Sequence, residues 1–267
     1  MKKRWSTPGP YLRRVAIDPK RVPSDGGYAF KLPVIRKLLQ KPLTFHPKVT
    51  FFVGENGSGK STLLEGIAVA CGLNPEGGSP NFNFATKESH SKLHWSLNVV
   101  KEPHRPGDKY FLRAESFYNV ASQLDEMDAI PSDSPKLLKY YGDKSLHEQS
   151  HGESFFALFQ NRFHGDGLYF MDEPEAALSP ARQIAFLSLL HDFVSEGAQF
   201  IIATHSPIIM AYPDAEIQVF ERTGLRKVAY TETEHYLVTR GFLANPARTF
   251  EDLFRTDEAK AEGEKDG

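Results

Sequence analysis

Gly54-Glu55-Asn56-Gly57-Ser58-Gly59-Lys60-Ser61 decides how the rest of the chain is read. The run fits the P-loop pattern G-x-x-x-x-G-K-[ST]. It follows Val49–Val53, an apolar stretch that reads as a buried strand, and residues 60–71 after it read as a helix. A strand before and a helix after turn the pattern into a phosphate site. The glycines allow a tight turn in which successive N–H groups converge on a β-phosphate, and the helix N-terminus adds the positive end of a dipole. The Lys60 ammonium can reach the β- and γ-phosphates, and the Ser61 hydroxyl can ligate Mg²⁺. Residues Gly54 to Thr62 are therefore the candidate nucleotide-binding set.

Downstream, Leu168-Tyr169-Phe170-Met171-Asp172-Glu173 is four apolar residues followed by two acids. Asp172, at the strand end, can hold Mg²⁺. Glu173, one residue on, can orient and deprotonate an attacking water, a role that needs a carboxylate beside the γ-phosphate rather than on the metal. Phe200–Ala203 reads as a further buried strand, and Thr204-His205-Ser206-Pro207 follows it. Between these strands Ser179-Pro180 is a helix start, Ile184, Leu187, Leu190 and Val194 make one apolar face, and Gly197 stops the helix.

Outward from this centre, Tyr11–Ile17 predicts a first strand and Tyr28-Ala29-Phe30 the start of a return strand. Pro33–Leu39 predicts a short helix. Leu93, Trp95, Leu97 and Val99 alternate with polar neighbours, the period of a half-buried strand. Tyr110–Arg113 predicts a strand antiparallel to it across the turn at 102–108, and 217–230 a hairpin around Arg222-Thr223-Gly224. The fold class is α/β: a P-loop NTPase with a mainly parallel core sheet flanked by helices, an antiparallel β-subdomain and a small helical insertion over 117–150. One domain is expected over 1–255, with a charged, frayed tail at 256–267. Ligands of such sheets bind beyond the carboxyl ends of the strands, so the P-loop, Asp172 and His205 are expected to meet there.

Composition narrows the setting. Over 267 residues the formal net charge is −2, so no global basic excess argues for nucleic acid. Local pairs such as Arg13-Arg14 and Lys20-Arg21, with Lys136 and Lys139, read first as solvated faces, with DNA phosphate contacts as the alternative. The single cysteine, Cys71, excludes an intrachain disulfide and fits a reducing, cytoplasmic setting. No apolar run approaches the length of a membrane span. The basic start Met1-Lys2-Lys3-Arg4 is followed by a polar, proline-broken stretch rather than a signal-peptide core.

Taken together, these motifs resemble an ABC-type ATPase. Ser150-His151-Gly152-Glu153-Ser154 sits where that family carries its signature motif, Asp172 to Ser179 resembles the Walker B plus D-loop stretch, and Thr204-His205-Ser206-Pro207 resembles the switch histidine. The resemblance implies ATP and Mg²⁺ as ligands and a head-to-tail homodimer around two nucleotides. It implies that Ser150 and Gly152 contact the γ-phosphate bound on the other subunit, that Glu173 and His205 are catalytic, and that ATP acts as an adhesive released by hydrolysis.

The sequence also departs from the family pattern. His151 and Glu153 replace the second Gly and the Gln of the usual signature, and Ser179 stands where an Asp is usual. No clear Q-loop glutamine follows the Tyr110–Arg113 strand, where Arg113-Ala114-Glu115-Ser116 stands, so Glu115 is the candidate stand-in near Mg²⁺, and Arg113 contacts either phosphate or a surface acid. Tyr28, Phe30 and Phe45 are the candidate adenine-stacking aromatics. The chain is thus similar to the small stand-alone predicted ATPases of the AAA family, related to chromosome-maintenance and recombination ATPases but without their coiled coils. About ninety residues separate Ser61 from Ser150, and they show no heptads. The function implied is a soluble Mg²⁺-dependent ATPase that switches an unknown protein partner in DNA maintenance or defence, with nucleic acid left open as a partner and no membrane insertion. Two alternatives stay open: the nucleotide-binding subunit of a transporter, and an ATP-sensing regulator of a nuclease or toxin.

Overall fold

Residues Val49–Gly54 form β3, buried along their whole length, and two strands flank it in parallel, Gln199–Ala203 (β7) and Ala215–Glu221 (β8). This is a computed structural model, and it describes residues 10–24, 27–80, 91–115, 122, 125, 128 and 151–263. The core sheet has six strands in the order β5-β6-β7-β3-β8-β9, where β5 is Asp108–Arg113, β6 is Gly167–Asp172 and β9 is Gly224–Val228. Only β9 runs antiparallel, as the second arm of the hairpin read from 217–230. A second sheet of three antiparallel strands, β2-β1-β4, is made of Leu43–Thr44, Leu12–Ile17 and Leu97–Lys101.

The central strands are apolar throughout because both faces are covered. On one face lies α3 (Lys60–Ala70), whose Leu63, Leu64, Ile67 and Ala68 share a cluster with Phe52, Phe111, Leu168, Phe170 and Ile201 of the sheet. Strand alternation turns Tyr169 to the opposite face, where its ring stacks on Phe163 at 4.2 Å. There α5 (His151–Arg162) and α6 (Pro180–Glu196) supply Phe159 and Phe186, which meet edge-on at 5.0 Å. Ser179 caps α6 and Gly197 ends it with φ 117°. The buried stripe of α6 is Gln183, Phe186, Leu190 and Val194, whereas Ile184, expected on that face, is exposed.

Three expected strands are corrected. Tyr28–Lys31 is a single helical turn (α1), not a return strand. Pro33 forces Leu32 into extended backbone and then opens α2 (Pro33–Leu38), and the two edges of β1 are taken by β2 and β4. Leu93–Ser96 is likewise one helical turn (α4), and the strand begins only at Leu97. β4 and β5 do not form a hairpin. β4 pairs with β1, while β5 joins the core sheet parallel to β6. Tyr110, Phe111 and Leu112 are buried in succession, which suits a strand covered on both faces. The Gly107 N–H donates to the Asp166 carbonyl and fixes that register at the strand's entry.

The chain divides into two compact units, Met1–Val228 and Ala229–Gly267, where the sequence reading drew one domain over 1–255. In the second unit α7 (Glu234–Ala244) is capped by Thr233, and α8 (Pro246–Gly263) follows, with Phe250 edge-on to Phe242 at 5.9 Å. α8 continues through 256–263, expected as a tail, where Glu, Ala and Lys favour helix. The expected helical insertion at 117–150 lies outside the described residues except for 122, 125 and 128, which are helical. Among the described residues no helix is long and apolar enough to cross a membrane.

A buried glutamine joins the two sheets. Gln199, at the start of β7, accepts from the Leu12 N–H at 2.8 Å and donates to the carbonyls of Leu12 (2.9 Å) and His46 (3.0 Å). Replacing it with leucine leaves those backbone groups buried and unpaired. Gln199→Leu is expected to destabilise the fold by about 2–3 kcal/mol, read as a lower urea midpoint at unchanged denaturant slope.

Candidate functional site

The loop between β3 and α3 takes backbone shapes that side chains resist. Gly59 sits at φ 98°, with Leu32 Cδ1 2.9 Å from where a Cβ would stand, and a Cβ on Gly54 would meet the Phe220 carbonyl at 2.7 Å. Glycine at both positions is therefore a packing requirement as well as a conformational one. Lys60 curls back over the loop and donates to the carbonyls of Gly54 (2.8 Å) and Glu55 (2.9 Å). Burial holds its amine below the usual lysine range, against the opposing pull of Glu173, Asp172 and Glu175.

The strand ends then bring the distant motifs together. Arg113 pairs in register with Asp172, and Asp172 with Ala203, which is also opposite Phe52 of β3. The loops after β3, β5, β6 and β7 thus leave the sheet at one edge. Across that edge the Ser61 hydroxyl donates to Asp172 Oδ1 at 2.9 Å. Burial pushes the Asp172 carboxyl up to about 6, with Arg113 and the Ser61 hydrogen bond opposing and the charges of Glu173 and Glu115 adding to the rise.

Glu173 adopts φ 52°, a left-handed conformation rare outside glycine. Its N–H donates to the Ala203 carbonyl, and its half-exposed carboxylate lies 3.7 Å from His205 Nε2. Strain of this kind concentrates at functional positions. Glu115 is exposed and faces Arg113 Nη2 at 3.6 Å, with no hydrogen bond linking it to the Ser61–Asp172 pair. Gly152 falls in the first turn of α5, and Ser150 lies outside the described residues. Of the three candidate aromatics, Phe30 and Phe45 are buried in the core, whereas Tyr28 is 69% exposed. Tyr28 lines a cavity of about 490 Å³ together with Ser61, Thr62, Glu65, Lys92 and Arg113.

The supporting roles of three groups of residues escaped the sequence reading. Arg113, weighed there as a phosphate contact or a surface pair, is instead 15% exposed and donates to Glu65 Oε2 (2.9 Å) and the Pro75 carbonyl (3.0 Å), with Nε 3.7 Å from Asp172. The available signal was Glu65 itself, a charge one helical turn after Ser61 on a helix otherwise apolar there. Glu175 accepts from the Thr204 hydroxyl at 2.8 Å and the His205 N–H at 2.5 Å, so it holds the loop that carries the histidine. Burial raises its pKa despite those bonds. Behind it the Ser206 hydroxyl donates to the buried Gln183 of α6 and accepts from the N–H groups of Ile208 and Ile209.

Two family models match the chain. One, described as an AAA domain, covers residues 34–106, and one described as "AAA domain, putative AbiEii toxin, Type IV TA system" covers residues 147–211. The first contains the P-loop and the second contains Asp172, Glu173, Glu175 and His205. The chain is 26% identical over 185 residues to the ABC transporter G family member STR2 of Medicago truncatula. That stretch is 64% of this chain but only 25% of the relative's length. It is also 26% identical over 175 residues, 62% of this chain and 82% of the relative, to the cytochrome c biogenesis ATP-binding export protein CcmA of Rhodopseudomonas palustris (strain BisB5). Among solved structures, the SMC head domain from Thermotoga maritima aligns with a TM-score of 0.40 and 16% identity, over 81% of this chain and 98% of that one.

The raised Asp172 pKa has a measurable consequence. The fold holds this proton more tightly than the unfolded chain does, so the ionised carboxylate burdens the fold above about pH 6 and the burden vanishes below the ordinary value of 3.8. Without nucleotide or metal, Asp172→Asn is expected to be more stable than wild type at pH 7.5 by on the order of 1–3 kcal/mol. Thermal unfolding should show that gap closing toward pH 4, and a gap equal at both pH values contradicts the assignment.

Proposed function

We propose that this chain, a P-loop ATPase domain of the ABC type, binds MgATP at the C-terminal edge of its core sheet and hydrolyses it within a head-to-tail homodimer. The observation that carries the reading is the 2.9 Å contact between Ser61 and Asp172 with Glu173 next in sequence, all beside the Gly54–Ser61 loop. A hydroxyl and a buried carboxylate are hard oxygen donors of the kind Mg²⁺ takes, and so few protein ligands leave room for phosphate oxygens and water. Ser61 and Asp172 would hold that ion, which when bound neutralises charge on the β- and γ-phosphates.

The chain's own groups divide the remaining work. The N–H groups of residues 55–62 and the Lys60 ammonium, released from the Gly54 and Glu55 carbonyls, grip the phosphates. Tyr28 offers an exposed ring beside Ser61 and Thr62 on which an adenine can stack. Glu173 takes the proton of the attacking water, and His205, 3.7 Å from it, supports that water and the γ-phosphate. Glu175 fixes the backbone of His205, so the histidine's reach depends on a residue that touches no substrate. Ser150 and Gly152 close the site from the second copy, Gly152 from the first turn of α5, where a helix N-terminus attracts anions. Loss of the γ-phosphate removes those bonds and lets the copies part, which makes the domain a switch for a partner protein. The names of the two relatives favour a second reading, the nucleotide-binding subunit of a transporter, in which that partner is a membrane protein that co-purifies with the chain.

Glu173→Gln is expected to lower ATP turnover on the order of 10²–10⁴-fold while keeping nucleotide affinity. In sedimentation experiments it should form a dimer with MgATP and not with ADP. Lys60→Ala should bind neither nucleotide. A Glu173→Gln protein that stays monomeric in saturating MgATP rules out the dimer mechanism.

A further inference from the structure

We infer that the first unit carries a second anion site, at the end of α3 remote from the P-loop, suited to a small phosphorylated molecule. A cavity of about 450 Å³ opens there, its lining including Tyr11, Lys101, Glu102, His104, Arg105 and Lys109. α3 has 11 residues, which sets this cavity about 16 Å along the helix from Lys60. It is a separate place from the nucleotide site.

Three features make it a built site. The first is a cluster of three cationic side chains, Lys101, Arg105 and Lys109, that outnumbers Glu102, the carboxylate lining the same cavity. The carboxylates nearby are engaged elsewhere: Glu102 with Arg13 at 3.1 Å, and Asp108 with both Nη atoms of Arg162 at 2.7 Å. Asp166 and Asp108 are still near enough to act on Tyr11 and Lys109 of the cavity through their charge. Among the described residues no carboxylate pairs with Lys101, Arg105 or Lys109. The second is the Tyr11 hydroxyl, on a side chain 1% exposed, which lines the cavity and has no hydrogen-bond partner. A buried donor of this kind calls for a ligand or an ordered polar group. The His104 ring, stacked on Tyr11 at 5.8 Å, holds the phenol in place. The third is that each lysine amine makes one hydrogen bond to a carbonyl, and an ammonium has three N–H donors to offer. Lys109 donates to the Cys71 carbonyl at 2.7 Å and Lys101 to the Ala70 carbonyl at 3.5 Å, the last carbonyls of α3. Burial, followed by the charges of Lys101 and Arg105, holds the Lys109 amine below its usual range.

A phosphate accepts from ammonium, guanidinium and phenol together, and charge-assisted bonds of this sort are the strong ones. The concave shape and volume fall within the span of small-molecule sites, about 300–1,000 Å³, and favour a small ligand over a nucleic-acid backbone lying across a surface. An occupant draws Lys101 and Lys109 from the carbonyl end of the helix whose other end cradles the nucleotide, so the site is placed to regulate it.

The test uses the full chain carrying Lys60→Ala, which weakens the P-loop's hold on phosphate, with inorganic pyrophosphate as the probe in titration calorimetry at low salt. Saturable binding at one site per chain is expected. Adding Arg105→Gln, an exposed change, or Tyr11→Phe, an isosteric one, should each weaken it about tenfold, with unfolding midpoints near that of the parent. Absence of pyrophosphate binding, or binding indifferent to both substitutions, overturns the inference. So does a single-stranded oligonucleotide that binds in an Arg105-dependent way where pyrophosphate does not, since the patch then belongs to nucleic acid.

Discussion

The burial of Asp172 is the constraint from which the rest of the site follows. A carboxylate this deep is tolerable only with positive charge and donors around it, and here they come from two other elements. Ser61 of α3 donates to one oxygen, and Arg113 at the end of β5 lies 3.7 Å from the other. Arg113 is in turn held by Glu65 of the same helix at 2.9 Å. The chain Asp172–Arg113–Glu65 therefore ties the P-loop helix, the edge strand and the acidic strand into one unit. Removing Arg113 leaves both Asp172 and Glu65 without their shared cation, so the phosphate-binding helix and the acid beside it are positioned by the same interactions.

A second clamp works on the other side of the acidic strand. Glu173 is held in a left-handed backbone conformation by its N–H bond to Ala203, and two residues later Glu175 turns back to bind Thr204 and His205. Two neighbouring acids thus do different work: the partly exposed one faces the site, and the buried one fixes the histidine loop. The aromatic layer of Phe163, Tyr169, Phe159 and Phe186 gives these loops a stiff base, and Gln183 anchors the far end of the histidine loop to α6.

α3 links the two ends of the first unit. Its N-terminus opens from the glycine loop, and its C-terminal carbonyls meet Lys109 and Lys101. The same packed helix therefore borders both the glycine loop and the cavity inferred above as a second anion site.

Local pattern alone determined the glycine loop, the acidic strand end, the cap and stop of α6, and the strand–helix alternation around the P-loop that makes an α/β sheet. Each depends on residues adjacent in the chain, where steric preference and burial period leave a readable trace. Tertiary structure alone decided the rest. Tyr110–Arg113 has the composition of a hairpin arm and follows a turn, yet it joins the parallel sheet, because the choice of partner strand is made across 59 positions rather than across the turn: Lys109 sits opposite Leu168 in one pairing and no β4 residue in any. Arg113 and Glu65 meet over 48 positions, and Gln199 and Leu12 over 187. Such pairings have no period and no spacing, since a buried polar group takes whichever partner the fold delivers, and only the folded chain says which one that is.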